Sequence, residues 1–318
     1  MKENLSPKGV FGNKKDVCVC ILAHNEQKHI AATIKSIIDG NKAVDFDVIV
    51  YANGCTDGTV EIVQSLFATY PNLRLRVLKK ASKTLAWNTA FNENTTPFII
   101  FSDGDVQPEP ETVAALCSCM GSYSEITIAS CQYWPQKKRM SFEQEITGLM
   151  QVPLVQDFLT GCFYGVRREA LHAEFQRHSL PGIPDGIVGE DFFLSSLVPA
   201  RNFTVIEKKC YYEPPTIEDY KKYLARIRWQ EKQVYSVHAG CLDSSTGRKR
   251  TLSTIIKQKK PYYQGIGRLC QGIMAAAMRH AFICIYKKQI SRYYESFGSV
   301  VRDGESILSK ATRSNSTK

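Results

Sequence analysis

Four strand-like segments occupy residues 17–22, 47–51, 73–78 and 98–101, the third alternating leucine with arginine, and the stretches between them have the length and patterning of helices. Nothing else in the chain constrains its fold as tightly. Strands alternating with helices near 26–38, 59–70 and 83–92 specify right-handed βαβ crossovers and a parallel sheet. Asn25 is placed to cap the first helix, Asn53-Gly54 to turn the chain, and Pro71 to end the second helix. In open sheets of this kind, ligands gather outside the carboxyl ends of the strands. The loops at those ends are therefore the segments to read for chemistry.

All four are polar. They read Ala23-His24-Asn25-Glu26, Ala52-Asn53-Gly54-Cys55-Thr56-Asp57-Gly58-Thr59, Ala81-Ser82-Lys83 and Ser102-Asp103-Gly104-Asp105. The last sets two carboxylates one residue apart after a buried strand. That pattern is a seat for a hard divalent cation, which takes oxygen ligands and completes its shell with substrate phosphates. Asp and Gly are also ordinary turn residues. The companion loops and Glu190-Asp191 downstream favour the cation reading.

Beyond residue 105, a helix is expected over 108–120, opening on Pro and acidic residues as helix N-termini prefer. Strands are expected at 126–133, 162–166 and 204–207, and helices at 167–172, 190–197 and 217–237, the last long and basic. Residues 137–139 read as a surface turn, 179–189 as a Pro/Gly loop, and 143–152 fit neither period. The expected organisation is a tail over 1–16 and a catalytic domain over 17–240, with a donor half to 105 and an acceptor half from 106. A basic, mostly helical extension follows over 241–318, opening on a polar linker at 241–251 and disordered at its end.

The net charge of +10 is uneven: residues 1–200 carry −4 and residues 201–318 carry +14. A basic tail of this kind meets anionic partners. No nucleic-acid recognition motif accompanies it, so nucleic acid is not expected. The segment 267–288 is apolar but interrupted by Arg279-His280, and cannot cheaply span a bilayer. It reads as an amphipathic helix on an anionic membrane, with Arg268, Lys287 and Lys288 near its ends, or as a helix packed on the catalytic domain. No leader and no run of about twenty apolar residues is present. The expected location is cytoplasmic, at most peripheral at the inner face of a membrane. The eleven cysteines include two C-x-C pairs but no C-x-x-C spacing, and read as reduced, buried thiols.

The motifs together resemble the inverting family 2 glycosyltransferases of the GT-A fold. The resemblance is carried, in the family's order, by residues 17–26, 48–59 ending in Gly54-Cys55-Thr56-Asp57-Gly58-Thr59, Lys83-Thr84-Leu85-Ala86-Trp87-Asn88, 99–105 with Pro108, 160–168, and Gly189-Glu190-Asp191. It covers about residues 17–235. It implies an α/β fold with a Rossmann-like mixed sheet flanked by helices, and transfer from a nucleotide-sugar to an acceptor hydroxyl in cell-envelope or extracellular-glycan biosynthesis. It places Mg²⁺ or Mn²⁺ on Asp105, the surer ligand, with Asp103 its less certain partner. Ala23, Asn25, Glu26, Asn53, Asp57, Lys83, Asp103 and Asp105 would line the donor site, and Arg226 and Arg228 would clamp the departing diphosphate. Glu190 and Trp229 would meet a glycan or lipid-linked acceptor, and Asp191 would be the general base.

Two departures qualify what the resemblance implies. Processive synthases carry Gln-x-x-Arg-Trp, whereas this chain has Ala225 before Arg228-Trp229, which favours transfer of a single sugar. Asn53 stands where relatives often have an acid that contacts the base, so a UDP-sugar is the first expectation and the base stays open. His24 is read as positional. The alternatives are a nucleotidyltransferase, which would want a Gly-rich phosphate loop after the first strand, and a non-catalytic binder on a degenerate transferase fold.

Overall fold

The computed structural model describes residues 15–136, 140–151, 159–237 and 266–295. The turn expected at 137–139, the linker at 241–251, the boundary near 240 and the terminal disorder lie outside the described residues, as does the tail up to residue 14.

Eight strands form one mixed sheet: β1 (Val17–Ala23), β2 (Asp47–Asn53), β3 (Leu73–Leu78), β4 (Phe98–Asp103), β5 (Val106–Pro108), β6 (Ile128–Pro135), β7 (Phe163–Arg167) and β8 (Phe203–Tyr212). Their order is β3-β2-β1-β4-β7-β6-β8-β5. Strands β1 to β4 pair in parallel, as the βαβ pattern requires. Beyond β4 the sheet turns mixed: β7 runs antiparallel to both β4 and β6, and β8 is parallel to β6 but antiparallel to β5. The chain leaves β1 toward β2 and β3, then returns to place β4 on the other side of β1. That reversal is the topological switch point where such sheets open a crevice.

The helices are α1 (Ile30–Gly40), α2 (Thr59–Ser65), α3 (Lys83–Glu93), α4 (Thr112–Ser122), α5 (Phe142–Gln151), α6 (Arg168–Arg177), α7 (Glu190–Leu197), α8 (Ile217–Val237) and α9 (Ile266–Ile285). Every residue of β1 is buried, as in a central parallel strand covered on both faces. Helix α1 buries Ile30, Thr33, Ile34 and Ile37, the i, i+3, i+4, i+7 stripe of a helix on a sheet. Helix α3 opens on Ser82, whose hydroxyl accepts from the Leu85 N–H at 3.2 Å. It buries Trp87 against Phe91 and Phe101, and the indole N–H donates to Tyr164 Oη at 2.8 Å. A fully buried indole needs such a partner.

Several local expectations are corrected. Asn25 does not cap α1: the helix begins at Ile30, and Asn25 takes a left-handed backbone (φ 57°) with its side chain turned to the next loop. The stretch 66–69 leaves the helix as turns. Pro108 ends β5 rather than opening a helix, because the segment after Asp105 pairs with β8, and α4 starts at Thr112. Of the unassigned stretch 143–152, residues 143–151 lie in helix α5, where the Ser141 and Gln144 side chains bond across the first turn; Val152 is outside the described residues. Helix α6 runs to Arg177 and β8 covers ten residues, both longer than their local patterns.

By contact density the chain falls into two compact units, each discontinuous in sequence. The first holds the whole sheet and its core, including Val19, Ile21, Val48, Val50, Ile100, Leu116 and Phe163. The second contains α5, α8, α9 and the loop 184–192, with a core of Met150, Tyr220, Leu224, Ala225, Phe282 and Ile290.

Candidate active site

In the first unit the strand-end loops are tied to one another by side chains. The Asn25 side-chain oxygen accepts from the Thr56 N–H at 2.8 Å, and Asn53 Nδ2 donates to the Ala23 carbonyl at 2.8 Å. His24 Nδ1 lies 2.7 Å from the Asn53 carbonyl, a positional contact as its sequence context implied. Asp57 accepts from the backbone N–H groups of Gln27 (3.1 Å) and Thr59 (3.0 Å), and from the Thr59 hydroxyl. Burial is the largest single effect and pushes the Asp57 carboxyl up, but the hydrogen bonds together outweigh it and hold the group below its ordinary value. Asp57 thereby organises the loop before α2. Gly54 has φ 61°, and a Cβ there would stand 2.5 Å from the Ala81 backbone nitrogen. The β2 and β3 loops therefore touch at a point where only glycine fits.

The Asp103-Gly104-Asp105 segment lies between these loops and α1. Thr33 Oγ1 donates to the Gly104 carbonyl at 2.9 Å, and the Asp103 N–H donates to the Cys162 carbonyl at 2.9 Å. Lys83 Nζ stands 2.6 Å from Asp103 Oδ1. A Cβ on Gly104 would meet Glu26 Cγ at 2.8 Å, so the glycine lets Glu26 lie against the motif.

The result is a crowd of acids. Burial first, then the negative charges of Asp105, Asp103 and Asp57, push Glu26 up to about 8, with Lys83 opposing. Asp105 reaches solvent yet lines a crowded recess. Desolvation raises its carboxyl, with Lys83 and His29 pulling the other way. Carboxylates gathered this closely, with Glu26 raised by its neighbours' charges and Asp105 by desolvation, are an oxygen-rich set that a hard cation would relieve.

The sequence profile of glycosyl transferase family 2 matches residues 18–175. Residues 18–175 belong to glycosyl transferase family 2. The chain is 22% identical over 202 residues to the dolichol-phosphate mannosyltransferase of Pyrococcus furiosus, a match that covers 60% of this chain and 54% of the relative. The chain thus spans about half the length of the curated relative it matches. Among solved structures it is similar to the mannosyltransferase PcManGT from Pyrobaculum calidifontis in complex with GDP-Man and Mn²⁺. The TM-score is 0.54 at 16% identity, covering 90% of this chain and 80% of that one. It is also similar to glucosyl-3-phosphoglycerate synthase from Mycobacterium tuberculosis in complex with phosphoglyceric acid, with a TM-score of 0.48 at 20% identity, covering 76% and 85%. The likeness to PcManGT supports the GT-A fold. The family matched by residues 18–175 is one of glycosyl transferases, not of nucleotidyltransferases.

The second unit holds the remaining candidate residues. Glu190 is buried (3% exposed), and Asp191 Oδ1 accepts from the Phe192 N–H at 2.8 Å at the start of α7. The loop before them is anchored to α8. Val188 N–H donates to Gln233 Oε1 at 2.9 Å, the Gln233 amide donates to the Gly186 carbonyl, and Gly189 (φ 89°) leaves room for Gln230. Arg226 and Arg228 are exposed on α8. Trp229 packs edge-on against Tyr294, ring centres 5.5 Å apart. The sequence reading missed Gln233 and His29. Gln233 had no motif to mark it, and His29 gains its relation to Asp105 only through the turn before α1.

Proposed function

We propose that the protein transfers a single sugar, with inversion, from a nucleotide-sugar donor to an acceptor hydroxyl, with Mg²⁺ or Mn²⁺ held by Asp105 and assisted by Asp103. The observation that carries this reading is the convergence of acids at the motif: Gly104 lets Glu26 lie against it, and the charges of Asp105 and Asp103 add to burial in raising the Glu26 carboxyl. A bound divalent cation would supply charge neutralisation for the departing diphosphate. Ala23, Asn25, Glu26, Asn53, Asp57 and Lys83 form the donor-side wall. Asn53 and Asp57 act there mainly by fixing the loops, since their side chains hold backbone groups. The exposed guanidinium groups of Arg226 and Arg228 suit bidentate contact with phosphate oxygens. Asp191 takes the proton of the acceptor hydroxyl as the new bond forms. Glu190 and Trp229 support the acceptor.

A donor panel tests this. UDP- and GDP-sugars are each incubated with Mg²⁺ or Mn²⁺, and nucleoside diphosphate release and anomeric configuration are read. The panel also names the base, for which a UDP-sugar is the first expectation. Metal-independent turnover, or retention of configuration, would overturn the corresponding part of the proposal.

A second observation favours a lipid-linked acceptor, a cytoplasmic protein peripheral to an anionic membrane, and a role in cell-envelope or extracellular-glycan assembly. Within the second unit, α5 exposes Phe142 (76%) and Leu149, and α9 exposes Ile273, Met274 and Ile285 (74%). Lys287 and Lys288 follow directly, within the half of the chain that carries +14. Exposed large apolar residues beside basic ones suit an anionic bilayer surface. No helix among the described residues is long and apolar enough to cross a membrane. Flotation of the full chain with anionic vesicles, lost on Phe142→Ser with Ile285→Ser, is the expected result. Equal flotation by the variant would remove this part.

A further inference from the structure

Behind the acidic motif lies a cluster that the transfer chemistry does not use. Cys131, Cys162 and Cys210 place their three sulfurs within 4.8 Å of one another, and all three residues are buried. They come from β6, from the residue before β7, and from β8. Cys131 sits where the β6–β8 ladder slips. Ser130 pairs with Val205 but Gln132 pairs with Lys209, so Cys131 falls at the irregularity rather than inside a regular rung. Its Sγ lies 3.1 Å from the Phe163 carbonyl. The Thr160 hydroxyl lies 3.4 Å from Cys162 Sγ and adds one oxygen at the edge of the group.

We propose that Cys131, Cys162 and Cys210 form a three-sulfur binding site for a thiophilic d¹⁰ cation, Zn²⁺ or Cu⁺. Thiolates select these ions over the oxygen-seeking Mg²⁺ and Mn²⁺, so the cluster and the carboxylates take different metals. With metal–sulfur bonds of about 2.3 Å, three sulfurs around one ion lie about 4 Å apart, within the spacing the fold already provides. Cu⁺ fits the three sulfurs alone. Zn²⁺ wants a fourth ligand, and Thr160 is placed to give one. Binding releases the thiol protons to solvent and ties β6, β7 and β8 together. Through the Cys162 carbonyl it also braces the Asp103 N–H. The ion is structural: it binds the folded chain and stabilises it by mass action.

The full-length protein, reduced and stripped with chelator, is titrated with Zn²⁺ or Cu⁺ against a chromophoric competitor. Binding is followed by X-ray absorption and by thermal melting. One ion per chain, three sulfur neighbours and a raised Tm are expected, with Zn²⁺ adding one oxygen that Thr160→Val removes. Cys131→Ser, Cys162→Ser and Cys210→Ser should each lose that ion, while Cys55→Ser and Cys284→Ser, at accessible thiols, should keep it. Because a serine in the core can itself destabilise the fold, the sulfur count on the wild-type protein decides the matter. Fewer than three sulfurs per ion, no shift in Tm with either ion, or undiminished binding by Cys210→Ser overturns the site. Donor turnover with Mn²⁺ is scored separately, and its failure leaves this result intact.

Discussion

Lys83 Nζ stands 2.6 Å from Asp103 Oδ1, joining the first residue of α3 to the last residue of β4. Both side chains are partly exposed, so the pair adds little to stability. Its value is positional: it fixes the Lys83 ammonium group beside the carboxylates. Lys83→Met should leave the fold intact, with Tm within a few degrees of wild type, and raise the donor KM at least tenfold. An unchanged KM would remove Lys83 from the donor site.

Asp105→Ala should abolish turnover through lost metal and donor binding, measured as Mn²⁺ affinity by calorimetry alongside nucleoside diphosphate release. Asp103→Asn should be milder. Equal loss in both would mean that the two carboxylates share the ion evenly.

Asp191→Asn should keep donor affinity and lower transfer by roughly 10²–10⁴-fold, the range for removing a general base. Gln233→Ala, which frees the loop over 186–189, should lower kcat with less effect on donor affinity. Transfer at the wild-type rate by Asp191→Asn would reassign the base.

Glu26 gives a pH signature in metal-free protein. Its folded pKa of about 8 lies above the ordinary carboxylate value, so the folded state binds the proton more tightly than the unfolded state. Stability should therefore fall as pH rises from the unfolded value toward 8, and flatten above it. Glu26→Gln should remove that slope in urea melts taken across the range. Saturating Mn²⁺ should suppress it in the wild type, because a cation favours the charged form.

Gly54→Ala should destabilise the protein by more than about 1–2 kcal/mol, the cost of a left-handed backbone alone, since its Cβ would also strike the Ala81 backbone. Chemical denaturation reads this directly. A neutral result would mean that the β2 and β3 loops can part without loss.

The parallel half of the sheet was legible because its signals are local. Strands β1, β2 and β4 are largely apolar and β3 alternates leucine with arginine, while α1 carries its own apolar stripe and α3 its own cap at Ser82. The candidate residues of that half stand out in the sequence for the same reason: they lie at the last residue of a strand, within the loop that follows it or, for Lys83, at the start of the next helix. The helix expected from Pro108 was misread because the pairing of Val106 with Tyr212 lies in a distant part of the chain. Asn25 was misread as a cap because its partner, the Thr56 N–H, is 31 residues away.

The sequence by itself determined the four βαβ strands, the acidic motif, the family resemblance and the uneven charge, all of which reside in short segments or in sums over them. Tertiary structure alone decided that Glu26 lies against Gly104 and titrates near 8, that Gln233 holds the loop before Asp191, and that three cysteines with no recognisable spacing meet behind Asp103. These depend on which strands pair across the antiparallel half and on what burial does to a charge. Neither is written in the order of neighbouring residues, because hydrogen-bond register and desolvation are properties of the packed chain.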